Sequence, residues 1–182
     1  IGTPPQLTIT APTDGEVYTY GAAVSFQGTV SDADDIASDI ALSWNSDVDG
    51  EFSTQGSDSN GNISFADSSL SSGSHNISVI ATDTTGLTAS TSLVLQINTA
   101  PTAPSVTITP DPADTSDDLV ATATGSSDVD GDTVSYSYAW LQNGNATSYN
   151  VATVPNTATA AREIWTVQVN TNDGYTDGTS TE

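Results

Sequence analysis

Two runs of closely spaced aspartates are the residues of this chain best suited to chemistry. The first run, Asp128-Val129-Asp130-Gly131-Asp132, places three carboxylates at alternate positions around a glycine. The second, Asp32-Ala33-Asp34-Asp35, has the same character earlier in the chain. Carboxylates this close repel one another unless a cation or water separates them. Hard oxygen ligands at such spacing suit Ca²⁺, which takes about six to eight oxygens, so both runs are candidate calcium sites.

The acidic run belongs to a unit that occurs twice. Each run begins twelve residues before a tryptophan, Trp44 or Trp140. The segments 6–10 and 105–109 also match, as do 79–83 and 169–173. Two diverged copies with small differences in loop length explain these matches. The proline-containing stretch 98–104 is typical of a connector between domains. The sequence therefore predicts module 1 at residues 1–98 and module 2 at residues 99–182.

The pattern of apolar residues predicts an all-β chain, since no stretch of ten or more residues shows a helical period. Strands are expected near residues 7–11, 24–30, 40–44, 62–65, 75–82 and 87–97, and near 105–109, 119–123, 134–141, 148–154, 164–172 and 178–182. About 90 residues per module and a tryptophan on the third strand favour two tandem immunoglobulin-like β-sandwiches. The last strand of module 2 looks cut short, which suggests a segment of a longer repetitive chain or a sheet completed by a neighbour.

The charge balance excludes several partners. The chain has 23 acidic residues against one basic residue, Arg162, for a net charge of −22. Nucleic acid and anionic lipid are therefore implausible partners, and no apolar run is long enough for membrane insertion. The absence of cysteine rules out disulfides and thiolate metal sites. Such a charge suits an environment rich in divalent cations or salt, while solubility alone remains the alternative explanation.

The order of the motifs resembles a known type of module. Module 1 carries the acidic run Asp32-Ala33-Asp34-Asp35, then Leu42-Ser43-Trp44, Gly73-Ser74-His75 and Ala81-Thr82-Asp83. That order resembles the PKD (polycystic-kidney-disease-type) repeat and related cadherin-like or bacterial immunoglobulin-like modules. Module 2 resembles the immunoglobulin-like repeats of large microbial surface proteins. The resemblance implies non-catalytic spacers of adhesins, surface filaments or secreted enzymes, located outside the cell or on its surface, often with Ca²⁺ at module junctions.

Sandwich topology predicts which acids meet. The loops after the second strand and before the last strand share one end of a module with the incoming linker. This groups Asp32, Asp34 and Asp35 with Asp83 in module 1, and Asp128, Asp130 and Asp132 with Asp173 in module 2. Asp47 and Asp49 are expected at the other end of module 1, facing module 2. We therefore expect an interdomain Ca²⁺ site, with solvated acidic turns as the alternative.

Catalysis is not expected. The single histidine, His75, cannot form a zinc site alone, and the chain has no lysine for a phosphate loop or a Schiff base. The sequence predicts a structural or adhesive segment whose partners are neighbouring immunoglobulin-like modules or identical subunits. The alternative is a pair of accessory modules of a secreted hydrolase that contact host or matrix polysaccharide. The aromatic candidates for that contact are Tyr18, Tyr20, Tyr136, Tyr138 and Tyr149.

Overall fold

The computed structural model describes residues 2–182, which form two compact modules. Module 1 ends at Asn98, and module 2 comprises Thr99–Glu182. Within the described residues, the only helical elements are two single 3₁₀ turns, Ala37–Asp39 and Asn156–Ala158. The prediction of an all-β chain built from immunoglobulin-like sandwiches is confirmed.

Module 1 is a sandwich of a three-stranded and a five-stranded sheet, ordered β1-β3-β6 and β2-β8-β7-β4-β5. Its strands are β1 Gln6–Ala11, β2 Glu16–Thr19, β3 Val24–Ser31, β4 Ala41–Ser46, β5 Gly50–Ser53, β6 Asn62–Asp67, β7 Gly73–Thr82 and β8 Thr88–Asn98. All pairs are antiparallel except β2 with β8. The sequence pattern missed β2 and β5, because each has only four residues and little apolar alternation.

The core of module 1 follows from strict alternation along its strands. In β3 every second side chain is buried over all eight residues, because successive side chains of a strand point to opposite faces. Phe26 of β3 packs edge-on against Trp44 of β4, with ring centroids 5.3 Å apart. The indole Nε1 of Trp44 donates to the carbonyl oxygen of Gln55 at 3.1 Å. The predicted core tryptophan is thus buried with its polar atom satisfied.

Module 2 consists of two three-stranded sheets, ordered β13-β10-β9 and β12-β11-β14. Its strands are β9 Ser105–Thr109, β10 Leu119–Thr124, β11 Ser135–Gln142, β12 Asn145–Ala146, β13 Thr153–Val154 and β14 Trp165–Asn172. Trp140 is buried on β11, and its Nε1 donates to the carbonyl oxygen of Val151 at 2.9 Å. Trp165 packs edge-on against Trp140 at 6.3 Å.

Two predicted strands of module 2 are wrong in extent. The strand expected at 148–154 shrinks to Thr153–Val154, because this segment crosses between sheets. The carbonyl of Tyr149 accepts the amide of Trp140 in one sheet, while that of Ala152 accepts the amide of Ala121 in the other. A segment that changes sheets cannot form one continuous ladder. The strand expected at 178–182 forms only isolated bridges to β14.

Candidate metal sites in the acidic loops

The acidic loop of module 1 is folded by one of its own carboxylates. Asp32 Oδ1 accepts the backbone amides of Asp34 at 2.7 Å and Asp35 at 3.2 Å, a turn that aspartate side chains commonly form. Asp83 follows β7 and comes from the neighbouring loop. Carboxylate oxygens of Asp32, Asp35 and Asp83 all lie within 4.8 Å of one another. The structure therefore brings together two acids of one loop and one of another.

The acidic loop of module 2 repeats this arrangement. Asp128 Oδ1 accepts the amides of Asp130 at 2.8 Å and Asp132 at 3.3 Å. Gly131 adds one residue to the loop and has a φ of +86°, a left-handed conformation that glycine adopts without steric cost. Carboxylate oxygens of Asp128, Asp130 and Asp132 lie within 4.8 Å of one another. Because these acids alternate along the loop, their carboxylates converge on one point.

Several oxygens of the two clusters are buried and accept no hydrogen bond. In module 1 these atoms are Asp32 Oδ2 and Asp83 Oδ2, and in module 2 they are Asp128 Oδ2, Asp130 Oδ1 and Asp132 Oδ2. A buried carboxylate oxygen without a donor loses its hydration and gains nothing in return. A positive charge placed among these oxygens would compensate for the hydration that they have lost.

Asp83 is held in its charged form although it is buried. Its side chain is only 6% exposed, and Oδ1 accepts the amides of Thr85 and Leu87, both at 2.8 Å. Burial acts to raise the pKa of Asp83, but the hydrogen bonds from Leu87, Thr85 and Gly86 outweigh it and hold the pKa below its ordinary value. Asp83 therefore presents a negative charge to the cluster.

The crowding of carboxylates in module 2 opposes the ionisation of Asp132. Burial raises the pKa of Asp132, and the charges of Asp128, Asp130 and Asp173 raise it further. Asp173 follows β14 as Asp83 follows β7, and its Oδ1 accepts the amides of Tyr175 at 2.8 Å and Thr176 at 2.6 Å. All four acids predicted for this end of module 2 therefore influence one site.

The middle acid of each loop holds the chain where it enters the module. In module 2, Asp130 Oδ2 accepts the amide of Thr99 at 2.6 Å. In module 1, Asp34 Oδ2 accepts the amide of Thr3 at 2.8 Å and its hydroxyl at 3.0 Å. Asp34 is thus an anchor for the entering chain and lies outside the cluster of Asp32, Asp35 and Asp83.

Asp47 and Asp49 are not part of either cluster. Asp47 Oδ1 accepts the amide of Asn76 at 2.8 Å, and Asp49 Oδ2 accepts the amide of Ser71 at 2.9 Å. Both carboxylates thus brace the turn between β4 and β5 against β7 and the segment before it. Their partners are backbone amides more than twenty residues away in the chain, which the sequence pattern does not reveal.

The single histidine has a structural role. His75 is fully buried and Ser46 is 4% exposed. His75 Nε2 lies 2.7 Å from the carbonyl oxygen of Ser71 and so must donate to it. Its Nδ1 lies 2.8 Å from the hydroxyl oxygen of Ser46 and 3.6 Å from Asp49 Oδ2. A buried serine–histidine pair offers no access to a substrate and serves to satisfy two core polar groups.

Within residues 2–182, no helix has the length and hydropathy required to cross a membrane.

The comparisons with known proteins concern the fold. Residues 5–79, less than half of the chain, match the model of the Bacterial Ig domain family. No curated protein matches the sequence. Among solved structures, the I67–I69 fragment of the titin I-band is similar over 100% of this chain and 64% of the fragment, with 12% identity and a TM-score of 0.56.

A second similar structure is that of the N-terminal eight Ig domains of the Down syndrome cell adhesion molecule. It covers 97% of this chain and 27% of that structure, with 15% identity and a TM-score of 0.53. The chain therefore spans less than two thirds of either structure. At such low identity the likeness concerns fold alone. Together these similarities show that the chain has an immunoglobulin-like fold.

Proposed function

We propose that this chain is a non-catalytic structural or adhesive segment of an extracellular microbial surface protein or filament, stiffened by Ca²⁺ bound in its acidic loops. The observation that carries this proposal is the set of buried carboxylate oxygens without a donor, which recurs at the acidic cluster of both modules. The immunoglobulin-like fold supports the structural part, because repeated sandwiches of this type serve as building blocks of many extended proteins.

The donor atoms favour calcium over other metals. Every candidate ligand is an aspartate oxygen, and zinc or copper would favour nitrogen and sulfur donors. The chain has no cysteine, and His75 is committed to the core of module 1. Magnesium keeps much of its water and requires near-octahedral geometry, whereas calcium accepts several carboxylates in irregular loops. Ca²⁺ is therefore the cation that the donors fit best.

A bound cation would act on the entering chain through Asp130. One oxygen of this carboxylate accepts the amide of Thr99, and the other is buried without a donor beside Asp128 and Asp132. Coordination of the second oxygen would fix the carboxylate and thereby the start of module 2. In tandem modules, a fixed starting segment limits bending of the connection, which is how Ca²⁺ would provide stiffness.

Calorimetric titration of the full chain with Ca²⁺ tests the proposal. We expect heat of binding, a higher melting temperature and slower amide exchange at Thr99, with Mg²⁺ as a weaker competitor. Extracellular calcium modules bind with dissociation constants of about 0.1–1 mM, so titration to about 10 mM is sufficient. A lack of heat, melting shift and exchange protection over that range would contradict the calcium role while leaving the fold-based structural role in place.

The polysaccharide-binding alternative gains no specific support. Tyr18 packs against the core of module 1, and Tyr136, Tyr138 and Tyr149 pack against that of module 2. Of the five candidate tyrosines, Tyr20 alone is largely exposed, at 57%. These five rings do not form an exposed row, whereas a carbohydrate platform needs several coplanar aromatic faces.

A further inference from the structure

The outward face of the five-stranded sheet in module 1 carries almost no charge. Successive side chains of a strand point to opposite faces of the sheet, and those that point away from the core here are mostly serine, threonine, asparagine and glutamine. Glu51 of the edge strand β5 is the only charged residue on this face, all of whose strand residues the structure describes. Glu51 already accepts the hydroxyl of Ser43 at 2.7 Å. The other acids of module 1 lie in connecting segments, apart from Glu16 of β2 and Asp67 of β6.

Exposed apolar side chains distinguish this face from that of the other sheet. Val17 of β2, Ile80 of β7 and Val94 of β8 are 41%, 38% and 43% exposed. Val17 pairs with Gln96, two residues after Val94, so the two valines are close neighbours on the sheet. The outward face of β1, β3 and β6 is also uncharged, but no large apolar side chain is exposed on these three strands, which the structure describes in full. Of the two faces, that of the five-stranded sheet therefore gains more from being covered.

The character of this face restricts what can cover it. A charged partner of either sign would find almost no counter-charge there, and none of the outward-facing strand residues is an aromatic ring on which a sugar could stack. Hydroxyl and carboxamide groups both donate and accept hydrogen bonds, so the face is complementary to itself under a two-fold rotation. A second copy of the chain, with the same net charge of −22, is repelled wherever acidic loops meet. Contact between the uncharged faces keeps those loops at the rim.

We propose that this face binds the same face of a second copy of the chain, forming a two-fold symmetric dimer through module 1. A strand spacing of about 4.8 Å and a rise of about 3.4 Å per residue give the face a flat area of roughly 600 Å² per copy. Specific interfaces bury about 1,200 Å² or more in total, so this contact is at the lower end and the dimer is weak and reversible. It needs no Ca²⁺ and does not involve the acidic clusters.

Sedimentation equilibrium of the full chain tests the proposal, with a chelator present to exclude bridging by Ca²⁺. We expect a monomer–dimer equilibrium with a dissociation constant between about 10 µM and 1 mM. Raising NaCl from about 20 to 500 mM should strengthen the dimer, because salt screens the repulsion between acidic loops. A chain that stays monomeric up to about 1 mM at high salt, or a dimer that salt weakens, overturns the proposal.

Variants with one added carboxylate locate the contact. Val94→Asp brings like charges together across the two-fold axis and should weaken the dimer at least about tenfold. Ser92→Asp tests the same strand at an exposed polar position, where no apolar surface is lost. Thr8→Asp adds the same charge to the outward face of the three-stranded sheet and should leave the dimer unchanged. Circular dichroism and melting temperature establish that each variant is folded. An equal loss in Thr8→Asp, or no loss in either β8 variant, places the contact elsewhere and overturns the proposal.

Discussion

In the acidic loop of each module, the first aspartate accepts backbone amides of its own loop. The two loops differ in the hydrogen bonds that their last aspartate accepts. In module 1, the hydroxyl of Thr84 donates to Asp35 Oδ1 at 2.7 Å and its amide donates to Oδ2 at 3.3 Å. Asp132 is the equivalent acid of module 2, and the residue equivalent to Thr84 is Gly174, which has no side chain to donate. Asp132 therefore retains a buried oxygen without a donor.

Because of this difference, we expect the two clusters to bind cations unequally although each contains three acids. A carboxylate that already accepts two donors gains less from a cation than one that has lost its hydration and gained no partner. Module 1 has two buried carboxylate oxygens without a donor, and module 2 has three. We therefore expect module 2 to hold the tighter Ca²⁺ site.

The largest expected effect is loss of the module 2 site. The double variant Asp128→Asn/Asp132→Asn removes two charges and should weaken the tighter binding step about 100-fold or more, because calcium affinity follows ligand charge. Isothermal titration calorimetry measures each step. The matched variant Asp32→Asn/Asp35→Asn in module 1 should remove only the weaker step, and loss of the tighter step there would reverse our ranking.

A smaller change should make the acidic loop of module 1 resemble that of module 2. Thr84→Ala removes the hydroxyl that donates to Asp35, so the module 1 site should bind Ca²⁺ roughly ten times more tightly. The same calorimetric titration reports this change. Thr84→Ser retains a hydroxyl and serves as the control, with unchanged affinity. An unaltered affinity in Thr84→Ala would mean that Thr84 does not explain the difference between the loops.

The raised pKa of Asp132 predicts a pH-dependent stability difference in the absence of Ca²⁺. A folded-state pKa above the ordinary value of 3.8 means that the folded protein binds protons more strongly, so stability falls as the pH rises above that value. At pH 7, Asp132→Asn should therefore melt several degrees above the unsubstituted protein. The difference should vanish well below pH 3.8, where the carboxyl is protonated in both the folded and the unfolded state.

Saturating Ca²⁺ should reverse the order at pH 7, because the ionised Asp132 is then neutralised by the cation. Calorimetric melting with Ca²⁺ and with a chelator measures both effects. If Asp132→Asn is less stable than the unsubstituted protein under both conditions, the crowding of carboxylates in module 2 is not a source of instability.

The smallest effect on binding is expected at Asp47 and Asp49. Asp47→Ala removes the acceptor of the Asn76 amide, and the melting temperature of module 1 should fall by a few degrees. Ca²⁺ affinity at both acidic loops should remain unchanged in calorimetric titration. A large loss of affinity in this variant would place Asp47 in a cation site that neither acidic cluster includes.

Much of the fold can be predicted from the sequence, because the signals for strands are local. Alternation along β3 and β7 identifies which side chains are buried, and the spacing from acidic run to tryptophan identifies the repeat. The predicted grouping of Asp32 and Asp35 with Asp83 agrees with the short distances between their oxygens. That these oxygens bind Ca²⁺ stays a prediction.

What the residues determine alone is the all-β class, the buried tryptophans and the places where negative charge collects, since each depends on neighbours only a few positions apart. Only the tertiary structure decided which carboxylates find a donor. Thr84 reaches Asp35 across 49 positions, and Asn76 reaches Asp47 across 29. Burial removes water from all of these groups, and the packing of distant segments determines what replaces it.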